Sequence, residues 1–143
     1  MISVEVTTRG LDFNEVASKL SGPLRQRLVE RLADVAYEKA FWGAPQGKTG
    51  RLAASVYKEV LSGEARVGAA ASYAVFVEKG TAPHEIRPVN ASVLVFAVPG
   101  GGVVFTRLVR HPGTRPNPFI QRAADEARDR AEEVFAALWL ELV

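Results

Sequence analysis

The chain has no cysteine. That single absence removes disulfides, thiolate metal sites and cysteine nucleophiles together. Methionine, asparagine and glutamine are also scarce, a pattern shared by heat-adapted proteins and by arginine-rich chains. No stretch approaches the ~18 consecutive apolar residues of a membrane span, so no membrane partner is expected. The first residues, Met1 to Thr8, carry acidic and hydroxyl groups without a long apolar run, so no secretory signal is expected there. A marked excess of one sign of charge is missing as well. The net charge is +2, too balanced for the concentrated basic face of most nucleic-acid binders, although the pI is about 9.2.

What is present describes an ordinary globular chain. It has 143 residues, 48% hydrophobic and 24% charged, which fits one domain over residues 1–143. A chain of this length buries roughly 68–70% of its unfolded surface and needs no covalent staple.

Ile2 to Thr7 alternates apolar and polar residues and predicts a strand. Asp12 offers a cap for a short helix containing Phe13, Val16 and Leu20. Ser21 and Pro23 offer a second helix start. Leu24, Leu28, Leu32, Val35 and Ala36 then recur at helical spacing, ending near Phe41, Trp42 and Gly43. One kinked helix or two both fit. Ala44 to Gly50 is a loop. Ala53–Leu61 and Ala65–Ala69 predict a hairpin around Ser62-Gly63. Tyr73 to Lys79 suits either a strand or a short helix ended by Gly80.

Val93 to Val98 is apolar on both faces and predicts a central strand covered on both sides. Val103 to Val109 returns after a glycine-rich turn. Arg110 to Pro118 is a loop stiffened by prolines. Asn117 is the expected cap of a last helix that has Pro118 in its first position. Ile120, Ala123, Ala127, Ala131, Val134, Leu138 and Leu142 form one apolar stripe on it. Glu126–Arg130 and Arg128–Glu132 are expected as exposed pairs. The predicted fold is α+β: an antiparallel sheet of about four to five strands flanked by a long N-terminal and a long C-terminal helix.

No constellation predicts catalysis. Gly47-Lys48-Thr49 resembles the end of a phosphate-binding loop, but the earlier glycine would have to stand at Trp42, and a helix precedes it instead of a strand. His84, His111 and Glu85 supply metal-ligand chemistry without ligand spacing, so backbone-bonded turn histidines are the plainer expectation. Ser55, Ser62, Ser72 and Ser92 lack a nucleophile elbow. Glu78 and Glu85 form a pair of carboxylates whose expected role is at a solvated surface or an interface. Arg107, Arg110, His111 and Arg115 make a basic patch, read as a subunit contact or, alternatively, as a small nucleic-acid-binding module over Arg107–Arg115. Phe41, Trp42 and Trp139 read as core or interface anchors.

Five pieces stand in a fixed order: Ala44-Pro45…Thr49-Gly50-Arg51-Leu52; Tyr73-Ala74…Val77-Glu78-Lys79-Gly80-Thr81; Pro83-His84-Glu85-Ile86-Arg87-Pro88; His111-Pro112-Gly113-Thr114; and Asn117-Pro118-Phe119. Together they resemble the tail-component, or head–tail neck, family of tailed phages and prophages, typified by gene product ten of a lambda-like phage. The resemblance spans about residues 24 to 124. Two departures accompany it: one extra residue around Pro45 and Thr49, and the short connection Pro99 to Gly102.

The resemblance implies a non-enzymatic virion protein, of tail-completion or tail-terminator type. Such a subunit is assembled in the host cytoplasm and ends in the neck or tail of the virion. It would form a ring with itself, a hexamer being the expected form, between the head connector and the tail-tube or terminator proteins. DNA would pass through without specific binding. No catalytic residue, cofactor or metal is implied. The candidate interface and structural residues are Thr49, Gly50, Leu52, Tyr73, Glu78, Gly80, Thr81, His84, Pro88, Arg110, His111, Pro112, Gly113, Pro118 and Phe119. Gly80 and Gly113 are expected to supply unusual turn angles, the prolines to pre-order loops, and Glu78 and His84 to hold the turn by hydrogen bonds.

Overall fold

The computed structural model describes residues 2–7 and 22–142. The expected short helix from Asp12 to Leu20, and the question of one helix or two, fall outside them. The order is β1 (Ile2–Thr7), α1 (Gly22–Gly43), α2 (Arg51–Ala54), β2 (Val56–Leu61), β3 (Glu64–Ala69), α3 (Ala74–Lys79), β4 (His84–Ile86), β5 (Leu94–Ala97), β6 (Val103–Thr106), β7 (Val109–His111), α4 (Phe119–Asp129) and α5 (Ala131–Leu142).

The body forms because three apolar surfaces meet. On α1, Leu24, Leu28, Val29, Leu32, Ala33, Ala36 and Ala40 are buried on one face, as a 3.6-residue period requires. That face lies against β3, whose Ala65, Val67 and Ala69 are fully buried, and against α4, which contributes Phe119, Ile120 and Ala123. Alanines on both helices let their backbones come close. The expected C-terminal stripe is buried from Ile120 through Leu138. It is interrupted at Arg130, so one long helix becomes α4 and α5, while Arg130 N–H still donates to Glu126 O (3.1 Å) and Val134 N–H to Arg130 O (2.9 Å). The charged pairs there are Arg128–Asp125 and Arg130–Glu133, spaced i,i+3, in place of the expected Glu126–Arg130 and Arg128–Glu132.

The expected sheet of four to five strands is corrected. Among the described residues there are three small antiparallel sheets: β1-β3-β2, β4-β7 and β5-β6. The predicted β2–β3 hairpin turns at Ser62-Gly63, with Leu61 opposite Glu64. Residues 53 and 54 belong to the helical turn α2, not to the strand. The ambiguous Tyr73–Lys79 segment is helical. The larger correction concerns Val93 to Val98. It is not a covered central strand, because β5 pairs with β6 in a free-standing ribbon and Val95, Val103 and Phe105 are exposed. The returning strand also divides. Thr106 Oγ1 bonds both Leu108 O and Leu108 N–H, and the chain then leaves the ribbon to pair β7 with β4. No described helix is long and apolar enough to cross a membrane.

Candidate functional site: a pinned base carrying an apolar arm

Residues 77–86 and 109–121 close on each other as one irregular antiparallel ladder. Asn117 N–H donates to Val77 O (2.9 Å). Thr81 and Thr114 form an isolated bridge, with reciprocal N–H···O bonds of 3.1 and 3.0 Å. Their hydroxyls lie 3.1 Å apart, and Thr114 N–H also reaches Thr81 Oγ1. In the same register His84 faces His111, Glu85 faces Arg110 and Ile86 faces Val109.

The two glycines expected to have special angles make this closure possible. Gly80 has φ 71° and Gly113 φ 82°. A Cβ on Gly80 would lie 2.6 Å from Thr114 O, and one on Gly113 only 2.2 Å from Thr81 O. Each glycine therefore admits the opposite strand's backbone, apart from tolerating a left-handed angle.

Both histidines bond to backbone, as expected for turn residues. His84 Nδ1 pairs with Ala82 O at 2.9 Å. Gly113 N–H donates to His111 Nδ1 at 3.0 Å, which leaves the neutral ring's proton on Nε2. The rings stack with centroids 4.9 Å apart. Glu85 lies beside Arg87 instead (3.0 Å). Among the described residues no group of three or more His, Cys, Asp or Glu side chains is placed to hold a metal.

Glu78 is the buried charged residue of the core. Its carboxylate accepts from Ile120 N–H and Gln121 N–H, both at 2.9 Å. It thus caps α4 from 42 residues away and meets the helix's positive end. The expected cap, Asn117, does not do this. Pro118 occupies the cap position with no side-chain bond, and the Asn117 carboxamide oxygen accepts from Arg122. Glu78 and Glu85 are not a working pair, since each is engaged elsewhere.

The remaining candidates divide by place. Leu52 and Phe119 are core residues. Thr49 and Gly50 shape the entry to α2, where Gly50 N–H donates to Gln46 O at 2.7 Å and Gly50 has φ 63°. The Gly47-Lys48-Thr49 turn follows the helix α1, not a strand. Ser55 Oγ donates to Leu52 O. Tyr73 lines a shallow groove of about 370 Å³ with Pro45, Phe76, Val77, Thr114 and Arg115. Pro112 is exposed at the turn between β7 and Gly113, and Pro118 is half-buried against α4. Phe41 packs on the core, whereas Trp42 and Trp139 are exposed and are not core anchors.

Pro88 begins the segment that the ladder presents. Between Arg87 and Leu108 the chain leaves the closed end of β4 and β7, forms the β5–β6 ribbon and returns. Val95 opposes Phe105 and Ala97 opposes Val103 on one face, and Phe96 opposes Val104 on the other. Val95 is 58% and Phe105 69% exposed, and Phe96 is 40% exposed even on the second face. An isolated two-stranded ribbon is at best marginally stable in water. Sequence reading missed this arm, because an apolar run looks the same whether the chain itself or a partner covers it.

No family model, no curated protein and no solved structure matches the chain. The resemblance to phage neck proteins therefore rests on the ordered motifs alone.

Proposed function

We propose that the chain is a self-assembling structural subunit, of the kind that joins head connector and tail tube in a tailed phage or prophage. The observation that supports this is the apolar arm on its pinned base. Three of the five motif pieces, with Glu78 and Gly80 of a fourth, build that base. Side chains such as Phe105 lose about 1.5–3 kcal/mol each by remaining in water, so covering the arm is a ready driving force for association. The pinned base reduces the entropy lost when the arm docks.

Sedimentation velocity tests the reading over a range of concentrations, alone and with connector or tail-tube proteins. A defined oligomer is expected in at least one of these conditions. Only monomer in all of them would refute the proposal.

A second reading has one observation in its favour. Residues 87–115 carry four arginines and no carboxylate, which suits phosphate contact. It predicts DNA affinity that falls steeply with salt, and weak, salt-independent binding would dismiss it.

A further inference from the structure

We infer that the arm of one copy docks on the outer face of α5 of a second copy, a head-to-tail contact between two different surfaces of the same chain. The inference rests on the assembly reading above and names its interface. On α5, Glu132, Ala136, Trp139 and Leu140 follow i, i+4, i+7, i+8 spacing, which places them on one exposed stripe. Trp139 is 52% and Leu140 75% exposed. This apolar patch sits in acidic surroundings. Residues 125–142 hold six carboxylates against two arginines, whereas residues 87–115 hold four arginines and no carboxylate. Glu141 is held by Arg31 and Glu133 by Arg130. Arg87 is likewise held by Glu85. Asp129 and Glu132 lie beside the patch in sequence, at opposite sign to Arg107 of the arm and Arg110 of its base.

A second apolar feature competes for the arm, the groove at Tyr73 and Phe76. Charge argues against it. Arg115 lines that groove, and Lys79 lies one helical turn from Phe76. An arginine-flanked arm would meet like charge there, and like-charge juxtaposition disfavours a partner. The α5 face supplies both the apolar area and the opposite sign. Because the two surfaces differ, a pair keeps one of each unused, the α5 face of one copy and the arm of the other. Assembly then continues until a ring closes, or runs on as a filament.

The absence of cysteine makes the contact directly trappable. Full-length chain carrying Phe105→Cys and Trp139→Cys together is oxidised under mild conditions and run without reductant. A ladder of disulfide-linked oligomers is expected. Either substitution alone is expected to stay monomeric, and the two single variants mixed are expected to stop at a dimer. In parallel, Glu132→Lys is expected to weaken self-association about tenfold or more, with partial recovery on adding Arg107→Glu.

A dimer from Phe105→Cys alone would overturn the proposal in favour of a symmetric arm-to-arm contact. Wild-type oligomers with no ladder would overturn it while leaving the assembly reading standing. Wild-type monomer under all conditions, connector and tail proteins included, would overturn both. Oligomers that form only on added DNA would assign the arginines to nucleic acid instead.

Discussion

The remote cap of α4 gives the sharpest energetic prediction. In Glu78→Ala, the Ile120 and Gln121 N–H groups lose the carboxylate that satisfies them, each now bonded at 2.9 Å. Ile120 is buried, so water does not readily replace the lost partner. An unsatisfied buried donor costs about 1–3 kcal/mol. A negative charge at a helix N-terminus contributes about 0.3–1 kcal/mol more. Gln121 is exposed and water can reach its N–H, so one buried donor and the lost charge together give a loss of about 1–4 kcal/mol, a sizeable part of the stability of a domain this size. Glu78→Gln keeps one acceptor oxygen but turns an NH₂ toward a second donor, and should lose about 1–3 kcal/mol. Urea unfolding followed by circular dichroism measures both, with the slope expected to stay constant. Glu85→Ala, at an exposed carboxylate beside Arg87, should stay within about 0.5 kcal/mol of wild type. If Glu78→Ala also stays within that margin, the carboxylate does not hold α4 in place.

Other predictions concern the clasp, the core and the arm. Gly113→Ala must displace Thr81 O, 2.2 Å from the new methyl; it should open the Thr81–Thr114 bridge, seen as faster hydrogen exchange at both amides. Gly100→Ala, at φ 92° but in open space, should cost only about 1–2 kcal/mol, read in the same urea experiment. Phe119→Ala removes a fully buried ring and should cost about 3–5 kcal/mol in thermal or urea unfolding. Val95→Ser with Phe105→Ser should leave the unfolding midpoint of the body unchanged within error and reduce self-association in sedimentation; a large loss of stability would show that the arm belongs to the core.

The parts of the fold that were legible share one property: the information is local. Leu24, Leu28 and Leu32 mark α1 by spacing, and Ser62-Gly63 marks the hairpin by turn chemistry. Gly80 and Gly113 were legible as turn residues, but the carbonyl that each one admits was not. Thr81 and Thr114 are 33 residues apart, and no pattern in either segment specifies the other. Glu78 was recognised as a bonding residue of the turn region, yet its true partners lie on α4, and the local signal at Asn117 pointed to the wrong cap. The arm failed for a different reason. Its two-faced apolar pattern predicted a covered strand, but β5 pairs only with β6 and leaves Val95 and Phe105 exposed; a pattern carries no information on which neighbours the fold brings to it. The arginines of residues 87–115 and the carboxylates of α4 and α5 were visible as charges. Their opposition as two surfaces depends on the β5–β6 pairing, which leaves Val95 and Phe105 exposed.

The proposed association of the chain through its arm predicts a defined stoichiometry. Native mass spectrometry of the chain, alone and with connector and tail-tube proteins, reads stoichiometry most directly. One discrete closed oligomer is predicted, lost when Val95 and Phe105 are both changed to serine. Monomer throughout, or an oligomer whose size and amount ignore those two substitutions, would contradict the account.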